Sequence, residues 1–314
     1  MTTSTDALAE AGVSIWLDDL SRERIESGNL ADLIENKGVV GVTTNPSIFQ
    51  AALSEGEAYT PAIEQLAEAG ATVEDAVFAL TTDDVRAACD MFRPLYEASE
   101  GVDGRVSIEV APGLAFDTEA TIEQATQLWR KVDRPNLFIK IPGTPAGVQA
   151  VEEAVFAGIP INVTLLFSAE QTLAAAQAWM RGLERRLDAG QDVKVHSVLS
   201  LFISRWDVAV QDTAPRGLEN QLGIAVAGRT WAAWEKLQQG ERWQRLKAAG
   251  APVQRMLWAS TGTKDPQASD VLYVEALALP STINTMPDKT IRALADHGRI
   301  PARGQALAAD ASAC

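Results

Sequence analysis

Lys140 is the residue whose setting first points to chemistry. It lies in Pro135-Asn136-Leu137-Phe138-Ile139-Lys140-Ile141-Pro142-Gly143-Thr144, a short apolar run closed by turn residues. Such a run reads as a strand buried on both faces. An ammonium there is costly, because desolvation disfavours its charge, and a neutral amine is what Schiff-base chemistry on a carbonyl requires. The ordinary alternative is a strand-end lysine that reaches solvent or pairs with a carboxylate. Schiff-base chemistry also needs groups that move protons at the carbinolamine and at carbon–carbon cleavage, a task carboxylates perform. Asp18, following Val13–Leu17, and Glu109, late in Val106–Val110, sit at the ends of apolar runs. Asn45, Asn162, Thr164 and Ser200 occupy comparable places and could hold the hydroxyls of a sugar chain. Each could equally be satisfied by backbone.

The other seven lysines do not compete. Lys37 is in a turn, Lys131, Lys236 and Lys247 lie in helical stretches, and Lys194 stands at a strand entry. Lys264 and Lys289 are outside any apolar run.

Positioning these groups falls to a repeating pattern of short apolar run and amphipathic stretch. The runs are Val13–Leu17, Val39–Val42, Val106–Val110, Leu137–Ile141, Ile159–Val163, Val195–Phe202, Met256–Ala259 and a weak eighth over Thr282–Asn284. Helical stretches are expected at Arg22–Glu35, Val73–Glu97, Val148–Phe156 and Gln171–Leu187. Strands alternating with helices imply a parallel sheet. An open sheet gathers its site at one switch point, whereas here nearly every run ends in a polar group, including Thr43-Thr44-Asn45 and Ser260. That is how a (β/α)8 TIM barrel builds its site, and the expectation is a single α/β barrel with extra helices. Trp231, Trp234 and Leu237 fall at helical spacing and read as packing over the barrel wall. The barrel is expected over residues 1–290, with a short Ala-rich tail over 291–314.

The 314 residues carry a net charge of −15 and are 46% hydrophobic. That is enough for a sizeable core, and the charge argues against nucleic acid as a partner. No basic-then-apolar leader and no apolar run of membrane-spanning length is present, so a cytoplasmic protein without membrane association is expected. Cys89 and Cys314 do not indicate a disulfide framework, and two cysteines with two histidines do not make a standard zinc site. Gly143-Thr144-Pro145-Ala146-Gly147 and Ser260-Thr261-Gly262-Thr263-Lys264 lack the spacing of a P-loop, and no cofactor is implied.

The motifs Ser14–Ser21, Gly41–Ser47 (Gly-Val-Thr-Thr-Asn-Pro-Ser), Val106–Val110, Leu137–Pro142, Ile161–Ser168 (Ile-Asn-Val-Thr-Leu-Leu-Phe-Ser), Ser200–Arg205 and Asn284–Pro287 together resemble transaldolases. The resemblance runs from about residue 12 to about 290. It implies a class I aldolase-type barrel that moves a dihydroxyacetone unit from sedoheptulose 7-phosphate to glyceraldehyde 3-phosphate, giving erythrose 4-phosphate and fructose 6-phosphate in the pentose phosphate pathway. On motif position, Lys140 resembles the Schiff-base lysine and Asp18 the acid/base at the C4 hydroxyl. Glu109 and Thr164 resemble the pair that holds a catalytic water. Asn45 and Asn162 resemble ligands of the dihydroxyacetone hydroxyls, with Ser200 and Phe202 beside them, and Arg205 resembles the phosphate-binding arginine. Where many members carry a second arginine, this chain has Ser260 followed by Lys264, which would supply the second cation. The resemblance also implies further C-terminal helices, so a reduced helical cover over the eighth strand is expected. A carboxylate in contact would stabilise the charged amine, and Glu109 is therefore expected to reach Lys140 through water. The alternatives are a fructose 6-phosphate aldolase-like enzyme or a truncated inactive barrel.

Overall fold

The computed structural model describes residues 3–301. Eight parallel strands close into a barrel in chain order: β1 (Val13–Leu17), β2 (Val39–Thr43), β3 (Arg105–Glu109), β4 (Leu137–Pro142), β5 (Ile161–Leu166), β6 (Ser197–Phe202), β7 (Arg255–Ala259) and β8 (Thr282–Met286). Both faces of the sheet are covered, which is why the strands read as nearly continuous apolar runs. Residues facing outward pack with the surrounding helices in one large core that includes Ile139, Ile141, Val163, Leu199 and Met256.

Side chains alternate along a strand, and one parity points into the barrel. On that parity stand Ser14, Trp16 and Asp18 around β1, Arg105, Ser107 and Glu109 on β3, Phe138 and Lys140 on β4, and Val198, Ser200 and Phe202 on β6. The interior is thus layered. Trp16, Phe138, Val198, Leu257 and Ile283 form a separate buried apolar cluster across its middle. Polar residues lie above it at the C-terminal ends of the strands and below it at the N-terminal ends. Gly41 makes the middle layer possible: a β-carbon there would meet the Trp16 ring at 2.5 Å.

Several expectations shift in detail. The helical stretch expected over Arg22–Glu35 is two helices, Arg22–Glu26 and Asn29–Lys37, parted at Gly28 (φ 79°). Glycine reaches that left-handed conformation without steric cost. The long helix Val73–Ala98 agrees with the periodicity and buries Cys89. Trp234 and Trp243 are buried and Trp231 stacks on Trp234 at 4.8 Å, so this aromatic stripe is core. The boundary expected at residue 290 falls within a helix, Asp288–His297, whose Ile291 and Leu294 are buried in the main core. Those two residues are three apart on one helix face, a stripe short enough to escape notice in an alanine-rich stretch. The remainder of the expected tail, residues 302–314, lies outside the described residues. Among the described residues no helix is long and apolar enough to cross a membrane.

Candidate active site

A cavity of about 880 Å³ opens at the C-terminal mouth of the barrel. Its walls include Asp18, Asn45, Glu109, Lys140, Thr164, Ser200, Phe202, Arg205, Ser260 and Lys264. Of the eleven residues singled out from sequence, only Asn162 is not exposed to it. Asn162 lies fully buried beside the floor, donating to Ser107 Oγ at 3.3 Å and accepting from Ser200 Oγ at 2.6 Å.

Register explains the centre. Glu109 pairs with Lys140 across β3 and β4, and Lys140 pairs with Asn162 across β4 and β5. Paired residues on adjacent parallel strands share a face and stand about 4.8 Å apart. Lys140 Nζ accordingly lies 3.0 Å from Glu109 Oε2 and donates to the Thr44 carbonyl at 2.7 Å. The expectation of a water between Glu109 and Lys140 is therefore corrected: the two are in direct contact, since their register sets them side by side on one face. Lys140 is 6% exposed, so its ammonium is held by one carboxylate and one carbonyl in place of water.

Asp18 and Asp19 separate cleanly. Asp19 pairs with Arg24, which also bonds Asp288 and Asn29, while Ser21 caps the helix that follows. Asp18 faces the cavity and accepts a hydrogen bond from Thr43 Oγ1 at 2.8 Å. Burial raises its carboxyl above the ordinary 3.8, opposed first by the Lys140 charge and then by the Thr43 hydroxyl. Thr43 Oγ1 also lies 2.6 Å from Thr285 Oγ1. Its single hydrogen goes to Asp18, so Thr285 is the donor in that second bond.

Asn45 has a local duty as well as a cavity face. Its Oδ1 accepts from Ile48 N at 3.0 Å and caps the helix Pro46–Glu55, which leaves its amide nitrogen for a ligand. Leu165 (φ 57°) and Ser260 (φ 56°), both on the cavity wall, hold left-handed backbone without being glycine. Such strain persists where the surrounding structure enforces it, commonly at functional sites. At the rim Arg205 lies 4.7 Å over the Phe202 ring. Arg205 and Lys264 make no ion pair among the described residues, although the chain is strongly acidic. Two free cations beside a polar cavity suit a phosphate group. Among the described residues no group of three or more histidine, cysteine or acidic side chains is placed to hold a metal.

Sequence reasoning gives no role to Thr43, to the Thr44 carbonyl or to Thr285. Thr43 is within its reach, since it shares inward parity with Asn45 two residues on. Tyr59 also lines the cavity, but its hydroxyl is engaged elsewhere, donating to Asp84 at 2.7 Å and accepting from Arg22 N at 2.9 Å.

The family model for transaldolase and fructose-6-phosphate aldolase matches residues 15–313. The chain belongs to this family. Curated transaldolases are similar over nearly its whole length. That of Mycolicibacterium smegmatis is 53% identical over 302 residues, covering 94% of this chain and 81% of the relative. Those of Mycolicibacterium paratuberculosis, at 54% identity, and Mycobacterium tuberculosis, at 53%, show the same coverage. Among the described residues Lys140 is the only lysine within a strand of the barrel.

Proposed function

We propose that the protein is a transaldolase, moving a dihydroxyacetone unit from sedoheptulose 7-phosphate to glyceraldehyde 3-phosphate through a Schiff base on Lys140. The contact that carries this reading is Lys140 Nζ against Glu109 Oε2 on the floor of a cavity that also presents Asp18. Glu109 takes a proton from Lys140, and the neutral amine attacks the ketose carbonyl. The carbinolamine then loses its hydroxyl as water, with the proton supplied by Glu109 and Thr164 orienting that water. The iminium nitrogen draws the electrons of the C3–C4 bond while the Asp18 carboxylate removes the C4 hydroxyl proton, so the aldose leaves and an enamine remains. Asn45, Asn162 and Ser200 hold the dihydroxyacetone hydroxyls, with Phe202 beside them. Arg205 and Lys264, next to Ser260, hold the distal phosphate. The acceptor aldehyde enters, the enamine carbon attacks it, and Asp18 returns its proton; water then adds to the product iminium, and the carbinolamine collapses to release the ketose and free Lys140, with Glu109 moving the protons. Small phosphorylated sugars are thus the partners, and the cytoplasm is where the enzyme works.

Borohydride added with fructose 6-phosphate should reduce the imine and mark Lys140 in a peptide map, and Lys140→Ala should lose both label and transfer. Transfer surviving in Lys140→Ala would sink the proposal. Whether product appears only when glyceraldehyde 3-phosphate is present separates transfer from simple aldol cleavage.

A further inference from the structure

The N-terminal mouth of the barrel holds a second cavity, of about 600 Å³, on the far side of the apolar layer. His196, Lys194 and Arg255 line it, with Phe138 and Val198 as its roof. Arg105, on β3, lies behind His196 and is 1% exposed. Its guanidinium bonds only carbonyls, Gly101 O through Nε and Nη2 and Pro135 O through Nη1, and it packs over the Phe138 and Tyr96 rings. No carboxylate among the described residues pairs with it. A buried guanidinium is normally paired, since an uncompensated buried charge is expensive.

Two further facts bear on what could compensate it. The point that a β-carbon on Gly101 would occupy lies 3.3 Å from the Tyr96 ring and 3.4 Å from both Arg105 Nη2 and His196 Nε2, so the guanidinium and the imidazole close on the same glycine. The His196 ring has no hydrogen-bond partner among the described residues, its backbone carbonyl accepting from Ile161 N at 3.2 Å. None of the nearby acids pairs with Arg105. Asp103 is engaged by Arg255 at 2.9 Å and by Ser14 at 3.0 Å, and Glu100 lies exposed on the rim. Lys194 is exposed and makes no ion pair among the described residues. Lys194, Arg255 and Glu100 line the mouth, Arg105 and Asp103 lie beside it, and Asp192 accepts from Lys194 N at 2.9 Å, so the buried charge without an ion-pair partner among the described residues is that of Arg105.

We propose that this mouth is a second anion site, distinct from the catalytic cavity, that takes the phosphate group of inorganic phosphate or a small phosphate monoester between His196, Lys194 and Arg255. The field of Arg105 behind them supplies attraction without contact. Burial first, then the charges of Arg105 and Arg255, depress His196 to about 3, so without an anion its ring is neutral at working pH. A bound dianion offsets those cations and lets the imidazole take up a proton.

The chain has only two histidines, His196 and His297, so histidine-labelled protein gives an NMR probe inside this mouth and a surface reference. Inorganic phosphate is titrated in one arm and glycerol 2-phosphate in the other, each against sodium chloride of matched ionic strength. The same titrations are run on Arg205→Ala, in which phosphate binding at the catalytic rim is weakened. The His196 ring signals should move saturably with at least one of the two probes, at half-saturation of about a millimolar, unchanged by Arg205→Ala. Lys194→Ala should weaken binding by about threefold or more, as loss of one charge–charge contact of roughly 0.7 kcal/mol would. Stronger response to the ester identifies the ligand as a phosphorylated metabolite, and stronger response to phosphate identifies the free ion. His196 signals that stay still with both probes, that follow chloride equally, or that respond only while Arg205 is present would overturn the proposal.

Discussion

Thr43 gives its one hydroxyl hydrogen to Asp18, and Thr285 in turn gives its own to Thr43. The carboxylate that faces the reacting C4 hydroxyl in the proposed mechanism is thereby aimed by β2 and β8 together. Because the Thr43 bond favours the ionised form, removing it raises the Asp18 carboxyl further. Thr43→Val should lower kcat by about tenfold or more and move the acid limb of kcat/KM to higher pH, whereas Thr43→Ser should restore both. A rate loss with an unmoved limb would assign Thr43 to packing alone.

The ion pair of Glu109 and Lys140 makes imine formation the step most sensitive to Glu109. Glu109→Gln keeps the shape but cannot accept the lysine proton, and kcat should fall by about 10²-fold or more. Stopped-flow trapping with borohydride should show slower labelling of Lys140 at an unchanged final yield. Labelling at the wild-type rate would show that Glu109 does not take that proton.

Asp18 also links activity to stability. Its carboxyl is raised in the folded state, so the fold gains most from it below the ordinary carboxylate value of 3.8 and loses that gain as pH rises through the folded value. Asp18→Asn cannot ionise and escapes the loss. The variant should be inactive yet melt higher than the parent at pH 7, by roughly 2 °C or more, with the difference shrinking toward pH 4. A melting point below the parent's at neutral pH would contradict this.

His196 runs with the opposite sign. Its folded value of about 3 lies below the ordinary 6.5, so its contribution is present above 6.5 and drains away as pH falls through that interval. Measured in sodium chloride without phosphate, His196→Gln should flatten the decline in melting temperature between pH 6.5 and 4. An identical slope in parent and variant would show that His196 stays neutral in the unfolded chain too, or titrates freely in both states.

At the rim, Arg205→Ala and Lys264→Ala should each raise KM for phosphorylated donors with little change in kcat. Arg205→Ala should have the larger effect, since a guanidinium can bind phosphate through two hydrogen bonds. Unphosphorylated dihydroxyacetone donors should respond to neither substitution.

Much of this molecule is legible in its residues alone. The β4 run around Lys140 stands out because a lone charge in an apolar strand has few explanations, and the polar ends of successive runs argue for closure of the sheet. Strand starts are less legible: β5 begins at Ile161 and β6 at Ser197, each two residues after the apolar run does. There the chain is still packing hydrophobic residues against helices before it joins the ladder. The Glu109–Lys140 contact is not legible because it depends on register between β3 and β4, and apolar spacing within each strand leaves that register open. The Thr44 carbonyl is hidden for a simpler reason, since every residue has one. Asn45 reads as a ligand or a cap and is placed to be both. The helix ending at His297 escapes notice because two buried residues, Ile291 and Leu294, are a faint stripe among alanines.

The band formed by Trp16, Phe138, Val198, Leu257 and Ile283 has a consequence for the molecule as a whole. It is a dry partition between two wet ends. Among the described residues the side chains of this band make no hydrogen bond that could relay a proton from Asp18 or Glu109 toward His196. A layer of hydrocarbon bars ions gathered at one end from passing to the other, while its low dielectric leaves their fields less screened than solvent would. One barrel can therefore carry two ends that exchange no ions through its interior yet still feel each other's charge.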